Sequence, residues 1–130
     1  KHQDFLKEVV SRLQAEGIRV SIFLDPEASQ VAAAKATGTD RIELYTEAYA
    51  KNYGTDKQSE TTQAYIDTAI AANAAGLGLN AGHDLNQENL AHFAQVVPGL
   101  LEVSIGHALV IEMLYKGLQP TVTGYLNCLK

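Results

Sequence analysis

Two near-copies of one phrase carry the residues best suited to chemistry. Asn80-Ala81-Gly82-His83-Asp84-Leu85 is echoed by Ser104-Ile105-Gly106-His107-Ala108-Leu109. Each follows a short apolar run, Leu77-Gly78-Leu79 or Leu101-Glu102-Val103, and each precedes a stretch with helical spacing. A Gly-His pair therefore falls twice where a strand ends and a helix begins. Glycine there lets a backbone approach a ligand, and the helix start offers free N–H groups to an anion. Histidine adds a side chain that exchanges protons near neutral pH.

The two corners read differently. His83 is a candidate general acid or base; the plainer alternative is a histidine that caps the next helix or bonds a neighbouring carbonyl. Asp84 beside it reads as the N-cap of that helix. Gly106-His107 reads as a phosphate-binding corner, or else as a tight turn into a helix. Glu43 lies inside the apolar run Arg41-Ile42-Glu43-Leu44-Tyr45. A carboxylate in such a strand is costly unless it faces a polar cavity, so Glu43 is either a site residue or a solvated edge residue. Asp25 precedes Pro26 and fits a turn. His2 and His92 fall on helix patterns at expected surface positions. His83 and His107 with Asp25 or Glu43 lack the i,i+4 or H-x-H spacing of a metal site, and no metal is expected. No Gly-x-Gly-x-x-Gly follows a strand and no Walker-type loop occurs, so no nucleotide or other cofactor is indicated.

These residues require elements to hold them. Phe5 to Leu13 is helical by its apolar spacing, and Gly17 ends it. Ile18 to Leu24 reads as a buried strand stopped by Asp25-Pro26. Gln30 to Ala36 is an alanine-rich helix closed by Gly38, and Arg41 to Tyr45 is a second strand. Glu47 to Glu60 is polar, contains Gly54 and reads as a long loop. Thr61 to Ala75 is a long helix, with Ser59 or Thr61 as its N-cap. Leu77 to Gly82 is a third strand and Asn86 to Val97 a helix stopped by Pro98-Gly99. Leu101 to Ile105 is a fourth strand, Ala108 to Leu118 a helix, and a last short helix begins near Pro120.

Alternating strands and helices imply a parallel sheet with helices outside. Four such units make either an open doubly wound sheet or half of a (β/α)8 barrel. Polar functional types occur at or inside every strand (Asp25, Glu43, His83, His107). In a barrel all the strand ends converge on one site, whereas an open sheet would load only those beside its switch point. The half barrel is therefore preferred, with residues 1–130 as one domain.

Composition narrows the function classes. The 130 residues are 46% hydrophobic, enough for a core. Net charge is −5 and no Lys/Arg cluster occurs, which argues against nucleic-acid binding. Cys128 is the single cysteine, so neither an internal disulfide nor a cysteine zinc site is possible, and a reducing cytoplasm fits. No apolar run reaches the roughly 18 residues of a membrane span, and no signal peptide is read. The chain opens on Lys1 rather than Met, directly in helix-like sequence, and reads as a truncated or processed start.

Four stretches together resemble one family, the pyridoxine 5′-phosphate synthases of the deoxyxylulose-dependent vitamin B6 pathway. They are Arg19 to Asp25, Arg41 to Ala50, Leu77 to Leu85 and Glu102 to Ala108. They run along nearly the whole chain in the family's order, and the pairing of Asn-Ala-Gly-His with a second Ile-Gly-His is quite specific. The resemblance implies a TIM-type barrel with extra helices, assembled as a homo-octamer. It implies condensation of 1-deoxy-D-xylulose 5-phosphate with 3-amino-2-oxopropyl phosphate, releasing phosphate and water as the pyridine ring closes.

By position, His83 resembles the family's proton donor and Glu43 its transition-state glutamate. Residue 84, Gly106 and His107 resemble the product- and phosphate-contacting set. Glycine can occupy position 84 in the family, so only the backbone N–H of Asp84 is carried over. The resemblance covers the second half of the family's chain, strands five to eight with a C-terminal helix. The first half carries another catalytic histidine, a catalytic glutamate and phosphate-binding arginines, and none of these is in the 130 residues. The chain is thus expected to be a C-terminal half-barrel fragment, inactive alone. The competing expectations are a different phosphate-binding barrel enzyme, such as a sugar-phosphate isomerase or epimerase, and a non-catalytic half barrel that binds a phosphorylated ligand or a partner chain.

Overall fold

A computed structural model describes residues 2–130. Four parallel strands form one sheet in the order β1 (Ser21–Leu24), β2 (Arg41–Tyr45), β3 (Gly78–Gly82), β4 (Leu100–Ser104). Spatial order follows chain order, so the sheet contains no reversal of the kind that makes a doubly wound switch point. Strands in sequence order with helical crossovers are what an arc of a (β/α) barrel wall contains.

Side-chain alternation gives the sheet two unlike faces. Ile42, Leu44, Leu79 and Ala81 are fully buried on one face. They pack with Tyr65, Ala69 and Ala72 of helix α4 (Gln58–Ala74) and with Leu90 and Phe93 of helix α5 (Leu90–Val96). Each large side chain buried there contributes about 1.5–3 kcal/mol. The other face is more open and polar. Its register row is Phe23, Glu43, Asn80 and Glu102, and Phe23 is 60% exposed. Arg41 reaches along this face to Asn80 Oδ1 at 2.9 Å and Glu102 Oε2 at 3.1 Å, while Arg19 meets the same Glu102 oxygen at 3.0 Å. A Cβ on Gly78 would lie 2.7 Å from Arg41 Cγ, so glycine makes room for the arginine stem.

Helix α1 (Gln3–Ala15) matches the apolar spacing and ends before Gly17, whose φ of 75° suits only glycine well. The first strand is shorter than its apolar run. Val20 N–H turns to the Asp40 carboxylate at 2.8 Å instead of joining the ladder. Ala28–Gln30 form one 3-10 turn that leads into α2 (Val31–Lys35).

The segment expected as a long loop from Glu47 to Glu60 is largely helical. Helix α3 (Glu47–Asn52) occupies its first half, and α4 already begins at Gln58 with Lys57 as N-cap, not Ser59 or Thr61. Its polar composition belongs to a solvated face, while Tyr49 turns inward and is fully buried. Only the stretch around Gly54, at φ 77°, is a turn.

The helix expected from Asn86 starts four residues later, at Leu90. The Asn86 side chain accepts from Glu88 N–H at 2.9 Å and Asn89 N–H at 3.1 Å, and that turn displaces the first helical turn. Helices α6 (His107–Lys116) and α7 (Leu118–Cys128) close the chain, with Pro120 in the first turn of α7. Glu112 staples them, accepting from Tyr125 Oη at 2.9 Å, Lys116 Nζ at 3.0 Å and, more closely still, the Gln87 amide. Burial raises the Glu112 carboxyl, but Lys116 and Tyr125 outweigh it and hold the group below its ordinary value.

Candidate active site

The C-terminal ends of β2, β3 and β4 surround a cleft of about 670 Å³, lined among others by Phe23, Glu43, His83, Ser104, Gly106 and His107. Asp84 lines it too. All five residues singled out from the sequence therefore meet at one opening. Asp25 lies apart, in a neighbouring hollow beside Phe23, Tyr45 and His83. Its carbonyl accepts from Glu27 N–H at 2.7 Å, which is the turn geometry its Pro neighbour indicated. Among the described residues, no three His, Cys, Asp or Glu side chains gather to hold a metal ion.

Glu43 projects from the middle of β2 onto the open face, over Gly82. A Cβ on residue 82 would clash with the Glu43 Oε1 atom, and Ser104 Cβ lies 3.0 Å from that point. Gly82 thus leaves the carboxylate its present position, from which a side chain at 82 would displace it.

His83 is held in an unusual way. Its φ is 84° and that of Asp84 is 57°, two successive left-handed residues without glycine. Such a backbone persists only where its surroundings over-determine it. Asp84 is accordingly not the expected N-cap; Asn89 takes that position in front of α5. Its own side chain bonds the turn before the helix instead. Asn89 Oδ1 accepts from Asn86 N–H at 2.9 Å, and its Nδ2 donates to the Asp84 carbonyl at 3.2 Å.

The His83 ring lies between two aromatic rings. Tyr45 meets it edge-on with centroids 4.6 Å apart, and Phe23 meets it tilted at 5.6 Å. Tyr45 is fixed in turn through its main chain. Its carbonyl accepts from the Tyr65 hydroxyl at 2.7 Å, and the Glu47 carboxylate nearby raises the Tyr45 hydroxyl above its ordinary value. Burial pushes the Tyr65 hydroxyl up to about 12, so it stays a donor. Lys51, and next Tyr45, hold the Glu47 carboxyl below its ordinary value, so Glu47 is an anion beside the site.

At the second corner Gly106 precedes α6 and His107 is its first residue. The first N–H groups of a helix have no intrahelical acceptor. No acidic side chain stands in that first turn, which leaves the dipole's positive end open to an anion.

Phe23, Tyr45, Thr46, Asn89 and Ser104 escaped the sequence reading. Tyr45 offered one signal, the alternation Arg41, Glu43, Tyr45 along a strand whose Ile42 and Leu44 point inward. His92, expected at the surface, is half-buried, with Nδ1 3.1 Å from the Tyr49 hydroxyl.

The model of the family described as "Pyridoxal phosphate biosynthesis protein PdxJ" matches residues 1–130. A protein named pyridoxine 5′-phosphate synthase from Flavobacterium johnsoniae is 53% identical over 130 residues, all of this chain and 54% of that relative. Its namesake from Christiangramia forsetii is 49% identical over the same length and also covered to 54%. One from Albidiferax ferrireducens is 48% identical over 124 residues, 95% of this chain and 49% of the relative. The chain spans about half the length of these relatives. A match that takes in every residue, with the Gly-His corners converging on one cleft, places the chain in the PdxJ family.

Proposed function

We propose that the chain is the C-terminal half of a pyridoxine 5′-phosphate synthase and carries one side of its active site. In this reading the full protein joins 1-deoxy-D-xylulose 5-phosphate to 3-amino-2-oxopropyl phosphate and closes the ring of pyridoxine 5′-phosphate. The carrying observation is the convergence of Glu43, His83 and Gly106-His107 on one cleft at the strand ends.

Each residue has a physical task. Closing an aromatic ring from two carbonyl compounds expels oxygen as water, and each departing oxygen needs a proton. His83, exposed at the mouth, delivers such a proton. Glu43 presents its carboxyl group in the same cleft, suited to support a cationic iminium stage. The N–H groups at Gly106, His107 and residue 84 hold a phosphate, with no metal or organic cofactor.

The remaining strands belong to the absent half and complete a (β/α)8 barrel, the full protein assembling as a homo-octamer in the cytoplasm. The 130-residue piece alone then lacks synthase activity, and mixing it with the missing half restores it. Turnover by the piece alone would overturn the half-site reading. In the full-length protein, His83→Ala should lower kcat by about 10²- to 10⁴-fold while product binding is retained. Unchanged turnover would make His83 a structural residue.

A further inference from the structure

The peptide corner that bears His83 is gripped by side chains at three consecutive carbonyls. Thr46 follows the last residue of β2 and is fully buried. Its N–H donates to the Gly82 carbonyl at 2.9 Å. Its hydroxyl oxygen lies 2.6 Å from that same carbonyl and closer still to the His83 carbonyl. A threonine hydroxyl has one proton, so the two carbonyls share it in a three-centre bond. The third carbonyl, that of Asp84, is taken by the buried Asn89 amide.

This grip coincides with the two left-handed residues, His83 and Asp84. Without it, an L-residue at 83 would relax toward negative φ and carry its side chain elsewhere. Thr46 thereby decides that the imidazole lands between Phe23 and Tyr45, at the cleft mouth.

We propose that Thr46 is a positioning residue for His83: it holds the strained corner so that the imidazole is presented to substrate. The proposal rests on the reading of His83 as proton donor. Thr46 itself touches no substrate, since it is buried behind the corner.

The test uses the full-length synthase. Thr46→Val keeps the shape and removes the hydroxyl. It should leave KM for both substrates within about threefold and lower kcat about tenfold or more, because misplacing a reacting group costs rate rather than binding. Thr46→Ser should restore kcat to within about threefold of the parent, since it returns the donor. In a His83→Ala background, Thr46→Val should lower the residual turnover no further, because Thr46 acts through the imidazole. A Thr46→Val enzyme with unchanged kcat, or one whose loss persists undiminished in the His83→Ala background, overturns the proposal. Should Thr46→Val fail to fold, Thr46→Ala removes the donor without adding bulk, and an unchanged kcat there overturns it equally. Undiminished turnover in His83→Ala alone would instead sink the proton-donor reading on which the proposal stands.

Discussion

Gly82 and Glu43 exclude one another's growth: the glutamate carboxylate fills the volume a side chain at 82 would need. The relation joins two strands, with Glu43 rising from β2 and Gly82 ending β3. It explains why the first Gly-His pair needs its glycine although Gly82 is not in the left-handed region. Gly82→Ala is therefore expected to push the carboxylate aside while the fold survives. On the role proposed for Glu43, kcat of the full-length protein should then fall about tenfold or more. Thermal melting of the variant beside kcat checks the separation.

Position 84 should tolerate glycine and resist branching. Asp84 holds φ 57°, which glycine adopts freely and a β-branched residue does not. Asp84→Gly should change stability by no more than about 0.5 kcal/mol, because relief of strain offsets the added freedom of the unfolded chain. Asp84→Val should destabilise by about 1–2 kcal/mol. Urea unfolding of the two variants decides it. On the proposed function, activity of the full-length protein should follow the backbone, with Asp84→Gly retaining it.

Acid should loosen the α6–α7 corner through Glu112. Its folded-state carboxyl is held below the ordinary value, so the stability it supplies is present above the unfolded pKa of about 4.3 and fades as pH falls through the folded value. Wild type and Glu112→Gln should thus differ most near neutrality and converge below about pH 4. A gap in urea midpoints that stays constant with pH would contradict this.

His92 should be locked in one tautomer. The Tyr49 hydroxyl has one proton and gives it to the Asn89 carbonyl at 2.8 Å. The contact at 3.1 Å between that hydroxyl and His92 Nδ1 must then be a donation from the ring. The neutral imidazole should carry its proton on Nδ1, visible in nitrogen chemical shifts. Tyr49→Phe should release this constraint and cost about 0.5–1.5 kcal/mol of stability.

Much of the scaffold was legible because apolar alternation and glycine stops are local signals. The strand Arg41–Tyr45 was read at its true bounds, and the other three began or ended within a few residues of the reading. The long-loop reading at 47–60 failed because a short helix with one buried anchor, Tyr49, has no apolar periodicity to display. The expected cap at Asp84 failed because an Asx turn at Asn86 outbid the helix for the next residues. The cleft-lining residues with charge or an imidazole announced themselves by type. Thr46 did not, because its task depends on carbonyls 36 and 37 positions away. Nothing in a threonine after a strand distinguishes that bond from an ordinary turn.

The grip on the corner closes on main-chain oxygens, not on the imidazole. The fold therefore specifies an address and leaves its tenant open. A residue substituted for His83 would leave the corner along the same Cα–Cβ direction, toward the space between Phe23 and Tyr45. Residues 82–84 behave as a tool holder, and the head they carry can be exchanged without rebuilding the arm.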